Sequence, residues 1–344
     1  MKLLISPRPL AQRGAAILMA MLTVVLVATL ASGALWQQWR AVEIEAAERT
    51  RAQSAWVLTG ALDWARLILS EDGRKGGADH LAEPWAIPLA QARLSTFLAA
   101  DRSDTLAADA STQVFLSGQI VDLQARLNLK NLVLDDGKTD PVTLRMWERL
   151  FNQLGLPRAS LERLVVQLQR AHTASAAAMG NEVSTNPVND GPLWPQEPEQ
   201  LAWLGLDPQT LAQLRPYVTV LPERTPVNLN TAPGPVLIAC IEGLEQADVQ
   251  RLLTARRLAP WETLEDVKKA AKLPKLALDA LHTSTRTRFF ALLGSLQIDG
   301  NTVREYSVVQ RDAMAVKTLW RERPLNPGNG PVHNTPAPTM NLDF

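Results

Sequence analysis

The chain has 344 residues and a formal net charge of zero, with 35 Lys plus Arg against 35 Asp plus Glu. This balance provides no overall basic surface, which argues against a nucleic-acid partner. Cys240 is the single cysteine, so an internal disulfide is excluded, and its apolar neighbours predict a buried structural thiol.

A short basic leader precedes a long uncharged apolar segment. The leader carries three basic residues up to Arg13, and no charged residue lies between Ala15 and Trp39. A helix needs about 20 apolar residues to cross a bilayer, and we predict a membrane span at residues 15–35. The basic leader is expected to stay cytoplasmic, which leaves the chain after Arg40 on the opposite side.

Two explanations of this N-terminus compete. A cleaved secretory signal is one, because Ala31-Ser32-Gly33 has the small residues of a cleavage site. However, the apolar run is longer than a usual signal, and a helical spacing of apolar residues continues beyond it. We therefore predict one spine helix over residues 15–70, apolar in its first half and amphipathic in its second. Trp36 and Trp39 are placed where aromatic residues line a membrane interface.

The rest of the chain is predicted to contain strands on both sides of a helical block. The predicted elements are a loop at 70–88, two strands within 113–129, helices over 140–287 with a mobile loop at 171–198, strands at 289–298, 303–310 and 316–320, and a disordered tail at 323–344. Asp299-Gly300-Asn301 predicts a hairpin turn. Because an unpaired sheet edge invites aggregation, we expect the late strands to pair with the early ones.

Residues 228–281 resemble a helix-hairpin-helix module. DNA-binding versions bring two hairpin glycines close to phosphate, whereas this chain has only Gly243, flanked by Glu242 and Glu245. Residues 227–282 carry seven basic and seven acidic side chains, so the general attraction to phosphate is missing. We interpret the module as a structural helix pair and expect no nucleic-acid partner.

The sequence contains no recognisable catalytic motif, and we expect no enzyme activity. His80 lies between Asp79 and Glu83, a spacing that suits a metal ion, although a hydrogen-bonded structural loop is the preferred interpretation. We predict no metal and no cofactor. Calcium, which needs several oxygen ligands, stays possible but is not favoured. The acidic residues that keep it possible are Asp190, Glu197 and Glu199.

Four short segments spread along most of the chain point to one protein family. The first is the Gly14-Ala15 junction before the uncut apolar helix. The others are Asp79-His80-Leu81-Ala82-Glu83-Pro84-Trp85, Gly118-Gln119-Ile120-Val121-Asp122 leading into Arg126-Leu127-Asn128-Leu129, and Pro226-Val227-Asn228-Leu229-Asn230-Thr231-Ala232. The junction resembles type IV prepilins, and the ordered set, from residue 14 to about 320, resembles the minor pseudopilin K family of type II secretion systems.

This resemblance implies a processing step and an assembly position. In the family a prepilin peptidase cuts after the residue that matches Gly14 and methylates the new N-terminus, here Ala15. The fifth mature position usually carries a glutamate that pairs with the neighbouring subunit's amine, and here it is Met19. An unpaired carboxylate in hydrocarbon costs at least about 2.5 kcal/mol, so Met19 fits a subunit with no neighbour ahead of it. A lipid-facing residue of a simple membrane anchor is the alternative.

The resemblance also implies an α+β fold and a function. The fold is a long transmembrane and amphipathic spine helix packed on an antiparallel sheet, with a large all-α domain inserted between strands. The function is that of a non-enzymatic minor pseudopilin at the pseudopilus tip, which initiates or caps the fibre that exports folded proteins across the outer membrane. The expected partners are minor pseudopilins I and J, the inner-membrane assembly platform and the prepilin peptidase.

The expected location is the cell inner membrane, crossed once, with the C-terminal bulk in the periplasm. Leu22, Val25, Trp36 and Trp39 are the expected helix-packing residues. Two alternatives stay open: a minor pilin of a type IV or competence pilus, and a signal-cleaved periplasmic binding protein. The predicted organisation is a leader at 1–14, the spine helix at 15–70, an α/β core at 71–130 and 288–322, an inserted helical domain at 131–287 and a tail at 323–344.

Overall fold

A computed structural model describes residues 13–93, 114–179, 191–272, 278–298 and 301–323. The fold is α+β, with a helical domain inserted between strands of one antiparallel sheet. The chain divides into two compact parts, one up to Val57 and one from Leu58 onward. Most of the predicted leader, the predicted tail from residue 324 and the hairpin residues Asp299 and Gly300 lie outside the described ranges.

The first helix, α1, runs from Arg13 to Lys75 without interruption. Its 63 residues correspond to a length of about 95 Å at 1.5 Å per residue. The predicted long helix is therefore confirmed, but the prediction that a loop begins at residue 70 was wrong. The helix continues to Lys75, and Gly76 and Gly77, with φ angles of 66° and 109°, take the chain away from it.

Shorter helices make up the inserted domain. They are α2 (Pro141–Gln153), α3 (Arg158–Met179), α4 (Pro208–Leu214), α5 (Gly234–Cys240), α6 (Gln246–Leu258) and α7 (Leu264–Ala271). Asp140 and Asp207 cap α2 and α4, and Thr263 forms a capping box with Asp266 at the start of α7. Because α3 continues to Met179, the first part of the loop predicted at 171–198 is helix.

The strands are β1 (Leu89–Arg93), β2 (Val114–Asp122), β3 (Leu127–Asn128), β4 (Val218–Thr219), β5 (Val227–Asn228), β6 (Thr283–Ser284), β7 (Phe289–Ile298), β8 (Asn301–Asp312) and β9 (Ala315–Glu322). The main sheet is antiparallel in the order β1-β2-β7-β8-β9, and β3-β4 and β5-β6 are short parallel pairs. β2 pairs with β7 from Val114 opposite Ile298 to Asp122 opposite Phe290. The strands on either side of the helical domain are thus neighbours, as predicted.

Among the described residues, three separate hydrophobic clusters form the core of the second part. One fills the helical domain around Trp147 and includes Cys240, whose thiol pKa is raised to about 12 by burial. A second joins the α1 residues Leu62 and Leu69 to one face of the sheet. The third lies on the opposite face and includes Leu221 from the helical domain. The sheet is therefore packed on both faces.

Candidate functional site

The N-terminal half of α1 is an exposed apolar surface. Every side chain from Ala15 to Arg49 is exposed, and α1 is long and apolar enough to cross a membrane. A helix that is apolar around its whole circumference belongs in lipid or among other apolar helices. The predicted processing junction, Gly14-Ala15, lies in the first turn, and Met19 follows one turn later with 68% of its surface exposed.

The four predicted packing residues lie on one side of this surface. At 100° per residue, Leu22, Val25, Trp36 and Trp39 fall within a stripe about 100° wide. All four are exposed in the isolated chain, Trp36 by 59% and Trp39 by 60%. The guanidinium of Arg40 lies 5.4 Å from the Trp36 ring centroid, a cation next to an aromatic ring at the end of the apolar run. Packing of this stripe against partners stays a prediction.

The other three resemblance segments meet in a buried polar junction between the main sheet and the helical domain. Asp79 comes from the loop after α1, Asp122 ends β2, and Asn228 ends β5. Within the part of the chain that the structure describes, we define the polar junction by its hydrogen-bonded side chains. They are Asp72, Asp79, Asp122, Asn228, Thr231, Thr287 and Arg311.

Asp122 is the central acceptor of the polar junction. One carboxylate oxygen accepts the backbone N–H of Gln124 and the Thr287 hydroxyl, both at 2.7 Å. The other accepts the Thr231 hydroxyl at 2.6 Å and the Asn228 amide at 3.0 Å. Burial raises the pKa of Asp122 to about 6, against the lowering effect of these hydrogen bonds. Four donors, from Gln124, Asn228, Thr231 and Thr287, therefore converge on one carboxylate.

Arg311, on β8, neutralises the acidic side of the polar junction. Its guanidinium bonds Asp72 on α1 at 2.5 Å, pairs with Asp79, and donates to the Thr287 carbonyl at 3.0 Å. The Thr287 N–H in turn donates to Asp79 at 2.7 Å. Burial raises the pKa of Asp79 even though Arg311 lowers it. Burial opposes the charge of Arg311, but Asp79 and Asp72 raise its pKa above the ordinary value.

The guanidinium of Arg311 lies beside the Asp79–Glu83 loop, whose acidic residues have a spacing that suits a metal ion. Carboxylate oxygens of Asp72, Asp79 and Glu83 lie within 4.8 Å of one another, and the Arg311 guanidinium pairs with the first two. Glu83 accepts the His80 N–H and the Trp85 indole N–H, both at 2.8 Å, and burial raises the pKa of Glu83 to about 7 against these bonds. Arg311 therefore supplies the positive charge beside these carboxylates.

Glu197 and Glu199, which were considered for calcium, do not belong to the cluster of Asp72, Asp79 and Glu83. Glu199 forms an ion pair with Arg215 at 2.7 Å. Asp190 lies outside the described ranges. Glu197 is the residue before a 3₁₀ turn at Pro198–Leu204. Calcium binding thus has no geometric support from Glu199, whose charge already has a partner.

A second buried polar cluster surrounds His282, and no motif in the sequence indicates it. The His282 ring nitrogens lie 2.7 Å from Asp140 and 2.9 Å from Asp279, and Arg224 also reaches Asp140 at 3.2 Å. Burial opposes the charge of Asp140, but hydrogen bonds from His282 and Thr143 outweigh it and lower the pKa of Asp140. The Thr143 hydroxyl donates to Asp140 rather than to the histidine, so the cluster ties the two ends of the helical domain together and does not activate a nucleophile.

Comparisons with known proteins agree with this architecture. Two family models described as type II secretion system (T2SS), protein K match residues 125–223 and residues 227–285. Type II secretion system protein K of Pseudomonas aeruginosa is 24% identical over 339 residues, covering 94% of this chain and 96% of that protein. A chain in the crystal structure of the GspK-GspI-GspJ complex from the enterotoxigenic Escherichia coli type 2 secretion system has a similar fold. The TM-score is 0.58 at 19% identity, over 81% of this chain and 99% of that one.

Proposed function

Since this chain belongs to the family of type II secretion system protein K, we propose that it is a minor pseudopilin at the tip of the pseudopilus. There it initiates or caps the fibre that drives export of folded proteins across the outer membrane. The observation that carries the proposal is the apolar N-terminal half of α1, exposed on every side and attached to a folded α+β head.

In this proposal, α1 first anchors the subunit in the inner membrane and later packs in the fibre core. Prepilin peptidase removes the leader after Gly14, and Ala15 becomes the methylated N-terminus. The head is then in the periplasm, because the basic leader stays on the cytoplasmic side. Leu22, Val25, Trp36 and Trp39 provide the stripe that faces neighbouring helices.

Met19 supports the position at the tip. A subunit inside a fibre gains from a carboxylate at this position only if a neighbour's amine neutralises it. An unpaired carboxylate in an apolar surrounding is costly, by at least about 2.5 kcal/mol on insertion scales. A first subunit has no amine ahead of it, so an uncharged side chain at position 19 is the more stable choice.

The proposed partners are minor pseudopilins I and J and the inner-membrane assembly platform. The similar solved chain belongs to a GspK-GspI-GspJ complex, which supports the first two partners. The proposed role is structural, with no catalytic activity, no resident cofactor and no nucleic-acid partner. The paired charges of the polar junction and of the His282 cluster support a structural use of both.

Labelling of assembled fibres tests the position directly. The chain is expressed with an epitope tag after residue 344, together with the other pseudopilins of its own secretion system, and sheared fibres are labelled with gold. We expect one label at one end of each fibre, and co-purification of pseudopilins I and J from detergent extracts of membranes. Labels along the length would contradict the tip position, and assembly with type IV or competence pilins alone would favour those pili instead.

A further inference from the structure

The helical domain shares little apolar surface with the rest of the second compact part. The hydrophobic cluster of this domain, among the residues that the structure describes, includes no side chain from α1, β2, β7, β8 or β9. In the clusters of buried apolar side chains that the structure describes, Leu221 is the helical-domain residue that reaches the main sheet, where it joins Leu123 and Phe289 on the face that α1 does not cover. A single leucine does not define the angle between two bodies.

The polar junction forms an unbroken chain of contacts across the same boundary. Asp72 on α1 bonds Arg311 on β8, and Arg311 bonds both Asp79 and the Thr287 carbonyl. The Thr287 hydroxyl bonds Asp122 at the end of β2. This series of contacts then reaches the helical domain, because Asp122 accepts hydrogen bonds from Asn228 and Thr231. All of these side chains except Asp72 are buried.

We propose that this polar chain, with Asp122 at its centre, fixes the orientation of the helical domain relative to the C-terminal end of the spine helix. When these polar contacts are broken, the helical domain and the sheet move as independent bodies, each with its own core intact. Hydrogen bonds have defined directions, whereas apolar packing tolerates small rotations, so a buried polar chain suits this task.

Asp122 is the critical member because every group that contacts its carboxylate donates a hydrogen bond to it. Thr287 links the two acids, with its N–H on Asp79 and its hydroxyl on Asp122. The Asn228 amide likewise donates both to Asp122 and to the Asp79 carbonyl. An amide at position 122 keeps the size of the side chain but replaces an acceptor oxygen by an NH₂ group, which faces donors.

The value of this coupling to a fibre rests on the proposed function, since a tip subunit must hold its helical domain at a fixed angle to the sheet. The coupling itself does not, because it is measured on the isolated protein. If the tip position is disproved but the coupling is observed, the coupling stands and only its role in the fibre changes.

Hydrogen exchange of the full chain in detergent micelles, followed by mass spectrometry, tests the coupling. The variants are Asp122→Asn and Thr231→Val, which removes one donor. Asn131→Ala is the matched control, because Asn131 is buried but its side chain bonds Thr225 within the helical domain, at 2.7 and 3.0 Å. We expect Asp122→Asn to accelerate exchange at 227–231 and 285–288 about tenfold or more, as for a lost hydrogen bond to a charged group.

In the same variant, exchange in α2 and in the centre of β7 is expected to keep its wild-type rate. Thr231→Val is expected to give a smaller acceleration in the same peptides, and Asn131→Ala none at 285–288. Wild-type exchange at both junction segments in Asp122→Asn would overturn the proposal, and so would an equal acceleration in α2 and β7. If Asp122→Asn yields no folded protein, Thr231→Val decides by the same comparison.

Discussion

Arg311 shows how much of the junction depends on one side chain. Its guanidinium lies against Asp72, Asp79 and the Phe290 ring, at 4.9 Å from the ring centroid. Taking such charges out of water is costly, and the pair is retained only because the charges compensate each other. Loss of the cation therefore leaves the carboxylate of Asp79 buried and unpaired.

We expect Arg311→Met to lower the free energy of unfolding by about 3–5 kcal/mol, the cost of breaking a buried ion pair. Urea denaturation of the full chain in detergent measures it. Arg304→Met is the control, because Arg304 lies on the same strand and is exposed, so its loss should change stability by less than about 0.5 kcal/mol. Equal losses in the two variants would contradict the importance of the Arg311 pairs.

At this scale the sequence reveals one half of the polar junction. Asp79, Asp122 and Asn228 stand in segments whose pattern is visible in the chain. Arg311 stands in a strand that shows only alternation, Thr287 stands in the short link before β7, and the aspartates that they contact are more than 160 residues away. No spacing rule connects residues that meet only when distant segments pack together in the fold. His282 and Asp140, 142 residues apart, were missed for the same reason.

Among the elements, the end of α1 is set by tertiary contacts rather than by helix propensity. Gly73 lies inside the helix, although glycine is a poor helix former. A Cβ at this position would collide with the backbone of Ala313, in the turn between β8 and β9. The close approach of that turn supports a helix that extends further than the sequence alone predicts, and the absence of a side chain at Gly73 permits it.

Two glycines of the same helix should therefore respond in opposite directions. We expect Gly73→Ala to lower the free energy of unfolding by about 1–3 kcal/mol, because the turn must move. Gly60→Ala is expected to raise it by up to about 1 kcal/mol, since nothing lies within 4 Å of its added methyl group and alanine favours the helix. Thermal unfolding followed by circular dichroism compares them. Stabilisation by both substitutions would show that Gly73 is not a contact point.

The sheet shows where propensity gives the wrong element. β1, Leu89–Arg93, has the sequence LAQAR, whose residues favour helix. It is nevertheless a strand, because it pairs antiparallel with β2 and this edge pairing overrides local preference. The later strands β7, β8 and β9 carry β-branched and aromatic residues with alternation, so their existence was predictable. β7 has the predicted ends, whereas β8 and β9 extend one or two residues beyond theirs.

For the whole molecule, the raised carboxylate pKa values determine the pH dependence of stability. Burial raises the pKa of Glu83 to about 7 and the pKa of Asp122 to about 6 in the folded protein, against ordinary values of 4.5 and 3.8. Between those values the folded state binds protons that the unfolded chain has released. Lower pH therefore favours the folded state in this range. Asp140, whose pKa is lowered, acts in the opposite direction only below its ordinary value of 3.8.

We expect the free energy of unfolding to rise as the pH falls from about 8 to about 5, and to decline again below about 4. Urea denaturation across this range measures it. Glu83→Gln should flatten the upper part of the profile, between about pH 8 and 6.5, because it removes the carboxyl group whose pKa burial raises to about 7. A stability that decreases steadily from pH 8 to 5 would contradict the assignment of buried, proton-binding carboxylates.

The architecture of the whole molecule was the most predictable level. A helix long enough for a membrane, strands on both sides of a helical block and the helix-hairpin-helix-like segment are local patterns, and each is visible in the chain. What the sequence does not contain is the separation of the hydrophobic core into clusters and the polar chain between them. Those follow from the packing of segments that lie far apart in sequence.

In the proposed function α1 is the spine of a processed pseudopilin, and the position of its N-terminus tests this proposal. The protein is extracted from membranes of a strain with active prepilin peptidase, and its intact mass and N-terminal sequence are determined. We expect a chain that begins at N-methylated Ala15, and Gly14→Ala should leave the leader attached. A start at Ala34, or an intact Met1 in the unsubstituted protein, would contradict the claim, because the helix would then be a cleaved signal or a simple anchor.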